Sequence, residues 1–225
     1  MVDLGLAKNL SADAVVFRAR KCDSVKGPLD VGPPTEELAR QNRMSPAGIP
    51  MLYAAKSAET SLCEVYDRKG IYHVDKFQLC RPVKILDLAD LPRIPSYWST
   101  LEPSNAQMHE RLLFWHRFAR ELAQPVADDE RIHIDYVPTQ VLTEFFRVAF
   151  TLPEGERLDG IAYPSPKHIG GTCYVIFANR DDLFWSRKEI EACSDFARGF
   201  REDKQKSAWV RLLATKRYDK WKPPA

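Results

Sequence analysis

An α+β fold, one compact domain with central mixed, mostly antiparallel strands flanked by helices, is what this sequence predicts. Three observations carry it. Short apolar runs of strand character and longer segments of helical spacing interleave irregularly, which disfavours a doubly wound parallel sheet. No repeat, low-complexity tract or Gly/Ser linker divides the chain. A length of 225 residues with a 44% hydrophobic fraction suits one substantial core.

The elements follow in order. "AVVFRAR" (14–20) predicts an opening strand that delivers Arg18 and Arg20, two apart and therefore on one face. "GPPTEELAR" (32–40) predicts a short helix with Thr35 as its cap and Glu36 and Glu37 in the first turn. "SPAG" is a turn in which Pro46 pre-sets φ and Gly48 relaxes the exit. "IPMLYAA" reads as a buried strand carrying Tyr53. Ser57 then caps a helix whose Ala58, Leu62 and Val65 share a face, with Glu64 beside it. A carboxylate at that boundary needs a partner.

"YHVDKFQL" and "VKILDL" alternate as two strands. Residues 99–123 predict a helix with Met108, Leu112, Leu113, Trp115 and Ala119 at near-helical spacing. "DYVPTQVLTEFFRVAF" (135–150) predicts another, starting at Pro138 and Thr139 and burying Val141, Leu142, Phe145, Phe146 and Ala149. "LDGIAYPS" and "GTCYVIFAN" are apolar strands joined by the polar loop "PSPKHIGG". "SRKEIEACSDFARGF" opens on a Ser186–Glu189 capping box, and "KSAWVRLLATKRYDKWKPPA" predicts a solvated terminal helix with a frayed end. The expected division is an N-terminal extension (1–13), the body of the domain (14–185) and a helical, basic C-terminal extension (186–225).

The net charge of +2 provides no draw for nucleic acid, although residues 201–225 hold eight Lys/Arg against three Asp/Glu. A solvated helix accounts for that tail better than a docking surface for an acidic partner. The five cysteines (Cys22, Cys63, Cys80, Cys173, Cys193) are scattered without C-x-x-C spacing. They predict small buried hydrophobes in a reduced compartment, with neither a disulfide framework nor a structural zinc site. The N-terminus lacks a basic segment followed by an apolar core, and no apolar run reaches the ~20 residues that span a bilayer. A cytoplasmic protein without membrane contact is expected, and the sequence is compatible with a homo-oligomer.

Several chemistries find no motif. There is no G-x-G-x-x-G and no G-x-x-x-x-G-K-[ST], so neither common nucleotide-binding loop is signalled. "KHIGGT" lacks their spacing, and no G-x-S-x-G elbow supports a serine hydrolase. The five histidines form no pair at metal-ligand spacing, so no metal is expected.

"RMSPAGIPMLYAAKSAETSLCEV" (43–65), with "FRAR" before it and "LDL", "YVPTQVLTEFFR", "DGIAYPS" and "GGTCYVIF" after it, resembles the RES domain family. The match holds in order from about residue 14 to about residue 180. The resemblance implies a fold similar to that of ADP-ribosyltransferases and an activity of NAD⁺ breakdown by phosphorolysis or hydrolysis. It also implies a role as the toxin of a bacterial toxin–antitoxin pair with an Xre-type, DNA-binding antitoxin. Carried over by motif, Arg43, Tyr53 and Glu64 look like the family's catalytic arginine, tyrosine and glutamate. Ser165 looks like its serine, and Arg18 like the substrate-binding arginine of the first strand, with Arg20 beside it. Asn42-Arg43 departs from the more usual Gly-Gly or Gly-Arg, and "GPPTEELARQN" resembles a less-studied subgroup.

The chemistry of NAD⁺ fits these residue types. Its cationic nicotinamide is already a good leaving group, so bond cleavage asks for no cofactor; NAD⁺ is the substrate and inorganic phosphate a candidate co-substrate. A carboxylate (Glu64) can stabilise the oxocarbenium-like ribose. A forked cation (Arg43, with Arg18) can hold pyrophosphate or phosphate, and an aromatic wall (Tyr53) can stack on a ring. Each residue also has a plainer reading: Glu64 as a helix flank, Arg43 as a cap on a carbonyl or the partner of a Glu, Tyr53 as core, Ser165 as a turn residue. Competing functions are a protein mono-ADP-ribosyltransferase, a metal-independent ribonuclease, and a binding protein with a degenerate site.

Overall fold

A computed structural model describes residues 4–25, 30–124, 132–184 and 208–223. Among these residues nine strands are formed: β1 (Ala7–Leu10), β2 (Val15–Lys21), β3 (Leu52–Ala55), β4 (Tyr72–Leu79), β5 (Val83–Asp87), β6 (Gly160–Pro164), β7 (Thr172–Ile176), β8 (Leu183–Phe184) and β9 (Val210–Tyr218). They make one sheet in the order β1-β5-β6-β7-β3-β2-β4-β9-β8. Neighbours are antiparallel except for β5–β6 and β8–β9. Four α-helices among the described residues accompany it: α1 (Ala58–Val65), α2 (Pro103–Ala123), α3 (Ile132–Asp135) and α4 (Val137–Glu144). The fold is α+β, as expected.

The central strands are covered on both faces, which is why they read as continuous apolar runs. From β7, Cys173 and Val175 face a core completed by Trp115, Phe118 and Leu122 of α2. Tyr174 and Ile176 point the other way, to Val16, Leu52, Phe77 and Ile85. Helix α1 seats Leu62 on Ala19, Tyr72 and Val74.

One joint in the sheet is weak. β2 meets β4 in continuous register from Val15↔Gln78 to Lys21↔Tyr72, and β3 meets β7 from Leu52↔Ile176 to Ala55↔Cys173. β2 and β3, however, share the single pair Phe17↔Ala55 and splay apart beyond it.

Several expectations are corrected. The stretch read as an N-terminal extension contributes β1, paired with β5 from Ala7↔Leu86 to Leu10↔Val83, and buries Leu6. The tail read as a terminal helix is strand β9 over Val210–Tyr218, paired along β4 with a bulge at Lys76/Phe77. Its local propensity is weak, and the open edge of β4 supplies the backbone partners that decide it. The Ser186–Glu189 helix lies outside the described residues. The expected helix at 32–40 shrinks to a 3-10 turn at Glu36–Leu38, which Thr35 does not cap.

The helix at 135–150 forms as α4 followed by a π-turn at Phe145–Ala149, but it is rotated from the expected face. Thr139, Gln140, Thr143 and Phe146 are buried, while Val141 and Phe145 are exposed. The polar residues are buried because they satisfy carbonyls. Gln140 Nε2 donates to the carbonyls of Asn42 (2.8 Å) and Ser45 (3.3 Å), and Thr139 Oγ1 to that of Arg43. In α2, Leu112, Trp115 and Ala119 are buried as expected, Leu113 is half-buried and Met108 is exposed.

Candidate active site

The gap between β2 and β3 is a cleft of about 360 Å³. Arg18 lines it from β2, Tyr53 from β3 and Glu64 from the last turn of α1. Tyr163 and Cys173, from β6 and β7, line it beside Glu64.

Glu64 is placed by the cap of its own helix. Ser57 Oγ accepts from the Thr60 N–H at 3.1 Å, and the short helix then carries Glu64 to the cleft. The loop after β6 meets it there. Ser165 donates its hydroxyl to Glu64 Oε1, and Lys167 Nζ donates to the Glu64 carbonyl at 2.7 Å. Beside this pair, burial pushes the Cys173 thiol and the Tyr163 phenol well above their ordinary values. Glu64 is the one carboxylate lining the cleft among the described residues.

Tyr53 reaches Ser45, their hydroxyl oxygens 2.9 Å apart, and burial pushes its phenol up to about 12. Its ring also packs on the main core, as the plainer reading has it, while it lines the cleft. Arg18 Nη1 donates to the carbonyls of Gly32 (2.5 Å) and Val31 (3.5 Å). Burial, and then the charge of Arg20, pull its guanidinium down to about 10. Asp75, its cross-strand neighbour on β4, works in the opposite direction, and the Arg18 guanidinium itself is anchored on carbonyls while lining the cleft.

Two expected site residues are elsewhere. Arg20 lies 3.4 Å from Asp75, a fully buried carboxylate on β4 that also accepts from Thr215 Oγ1 at 2.8 Å. Burial pushes the Asp75 carboxyl up. Arg43 turns away from the cleft: Nη1 donates to the Glu121 carbonyl at 2.9 Å and the guanidinium sits 5.7 Å from the Tyr136 ring centre. It lines a separate groove between α2 and α4. The plainer reading, a cap on a carbonyl, describes it.

Arg40 and Ser45 line the cleft and were not singled out from the sequence. Arg40 precedes the motif arginine by three residues, and its only signal was that a guanidinium occurs twice in "ARQNR". Among the described residues, no three His, Cys, Asp or Glu side chains are grouped to hold a metal ion, and no helix is long and apolar enough to cross a membrane.

A mixed sheet parted at one joint, with a glutamate, a tyrosine and an arginine walling the gap, defines an α+β protein with a cleft in its sheet. The RES domain family matches residues 15–196, and the chain belongs to that family. No curated protein and no solved structure matches the chain significantly.

Proposed function

We propose that the chain is an enzyme that cleaves the nicotinamide–ribose bond of NAD⁺, by phosphorolysis to ADP-ribose-1″-phosphate or by hydrolysis. The observation that carries this reading is one cleft lined by Glu64, Tyr53 and Arg18, with Ser165 hydrogen-bonded to that glutamate, in a chain of the RES domain family. The bond from ribose C1″ to the pyridinium nitrogen breaks, and its electron pair leaves with neutral nicotinamide. Glu64 faces the positive charge that develops on the ribose, beside the neutral Cys173 thiol and Tyr163 phenol. Ser165 fixes the carboxylate, and Tyr53 presents a ring to the nicotinamide or ribose. Arg18, with Arg40 also lining the cleft, holds the negative oxygens of pyrophosphate or of incoming phosphate. A phosphate or water oxygen then bonds to C1″, and the proton it sheds goes to solvent.

In the cell this activity is that of a toxin that depletes NAD⁺ in the cytoplasm, restrained by an Xre-type antitoxin covering the cleft. The test is nicotinamide release from NAD⁺ by purified protein, with and without inorganic phosphate, beside Glu64→Gln. Release that needs phosphate and falls at least about 100-fold in the variant supports a phosphorylase. Phosphate-independent release supports a glycohydrolase. Labelled ADP-ribose on protein would make it a protein ADP-ribosyltransferase, and RNA cleavage without nicotinamide release would overturn the reading.

A further inference from the structure

Ser165 stands between two prolines on a surface loop, and nothing in that local sequence keeps its hydroxyl on Glu64. The loop is held from its other end. Thr60 Oγ1 and His168 Nδ1 are 2.8 Å apart, and the Thr60 hydroxyl also meets Ser57 Oγ at 2.8 Å. Thr60 is buried and lies one turn before Glu64, so both project from one side of α1. Within the loop, the N–H groups of His168 and Lys167 donate to Ser165 Oγ at 2.9 and 3.3 Å. The contacts close a ring: Thr60 to His168, His168 to Ser165, Ser165 to Glu64, and Glu64 back along one turn of helix to Thr60.

The ring is tight. A Cβ on Gly171 would lie 2.8 Å from Thr60 Cγ2 and 2.9 Å from His168 Nδ1 and Thr60 Oγ1, so a side chain there would have to push the two clamp residues aside. Lys167, which also reaches α1, is exposed and long; the fixed contact is the one through buried Thr60.

The geometry points to His168 as a positioning residue: through Thr60 it clamps the loop after β6 to α1 and so sets the Ser165 hydroxyl on the Glu64 carboxylate. The inference rests on Glu64 being the group that meets the ribose charge. A carboxylate freed by even 1 Å from its productive position loses most of its value to the transition state.

The test compares His168→Ala, His168→Asn, Thr60→Val and Thr60→Ser in the full chain. His168→Ala and Thr60→Val should lower kcat about 10- to 100-fold while KM for NAD⁺ moves less than about threefold, since misplacement of a catalytic group costs rate rather than ground-state binding. His168→Asn, whose amide can meet the Thr60 hydroxyl, and Thr60→Ser should recover most of the rate. Amide hydrogen exchange read without NAD⁺ should quicken about tenfold or more at Lys167 and His168 in the two disrupting variants, because those N–H groups depend on Ser165 being held. Unchanged exchange in His168→Ala would overturn the clamp. Quickened exchange with kcat intact, or no recovery in His168→Asn, would overturn the positioning role. Absence of nicotinamide release from the wild-type protein would instead remove the NAD⁺ reading, while the exchange measurement still decides whether the clamp exists.

Discussion

Ser165 donates its hydroxyl hydrogen to the carboxylate of Glu64, joining the loop after β6 to α1 across 101 residues of sequence. The same oxygen accepts from the N–H groups of Lys167 and His168, so one side chain settles both a carboxylate and a turn. Ser165→Ala therefore removes two functions together. Nicotinamide release should fall about 10- to 100-fold, and denaturant unfolding should show a loss of about 1–2 kcal/mol for the unsatisfied loop donors. An unaltered rate would detach Ser165 from the work of Glu64.

The arginines are ranked by where they point. Arg18 and Arg40 line the cleft, and Arg43 is committed to the Glu121 carbonyl. Arg18→Ala and Arg40→Ala should each raise KM for NAD⁺ about tenfold, the value of a charge-assisted contact to phosphate. Arg43→Ala should act chiefly on stability, by about 1 kcal/mol, through α2 and the 42–45 loop. Steady-state kinetics of the three variants tests this; a larger KM effect for Arg43 than for Arg18 would return Arg43 to the cleft.

Asp75, fully buried on β4, and Arg20 on β2 form an ion pair beside Arg18. Asp75→Ala leaves a guanidinium without its counter-charge and should cost about 3–5 kcal/mol, whereas the double change Arg20→Met, Asp75→Leu should restore most of that. The pH dependence has a definite sign. The folded-state carboxyl titrates above its ordinary value, so the folded chain binds this proton more tightly than the unfolded chain does. Its contribution to stability is present below the ordinary carboxylate range and is lost as pH rises through the raised value. Asp75→Asn, which mimics the protonated form, should remove that share of the pH dependence in thermal melts, and an unchanged profile would count against it.

Gly160 starts β6 under the backbone of β7. A Cβ there would press on the Val175 carbonyl oxygen, a backbone atom that cannot move aside cheaply. Gly160→Ala should cost about 1–3 kcal/mol by overpacking, read as a lowered denaturation midpoint, and Gly155→Ala, which meets open space but carries φ +81, should cost less.

Much of this architecture was legible in the residues. β4, β5 and β7 announce themselves as apolar runs or alternations, and the Tyr53 strand leading to the Ser57-capped helix of Glu64 is local in every step. What failed was non-local. β9 is a strand because β4 lies beside it, which no window of its own sequence contains. The α4 face was misjudged because Thr139 and Gln140 are buried for their hydrogen bonds, against the apolar periodicity of Val141 and Phe145. The order of motif residues located Arg43 but could not say which way its guanidinium turns; a carbonyl on α2 and a tyrosine ring decide that.

The joint at Phe17↔Ala55 also divides the sheet in time. The half behind Tyr53, made of β1, β5, β6, β7 and β3, is spelled out once a ribosome has passed Ile176. The half behind Arg18 waits for Val210–Tyr218, because β4 has an unpaired edge until β9 is delivered. A growing chain thus has the strands behind Tyr53 first, while the Arg18 half, on which the Glu64 helix α1 is seated, gains its brace only when β9 is delivered. On the proposed activity, a nascent chain that still lacks β9 holds Tyr53 before it holds a braced Arg18 and Glu64, so the capacity to grip the dinucleotide waits for that last strand of the sheet.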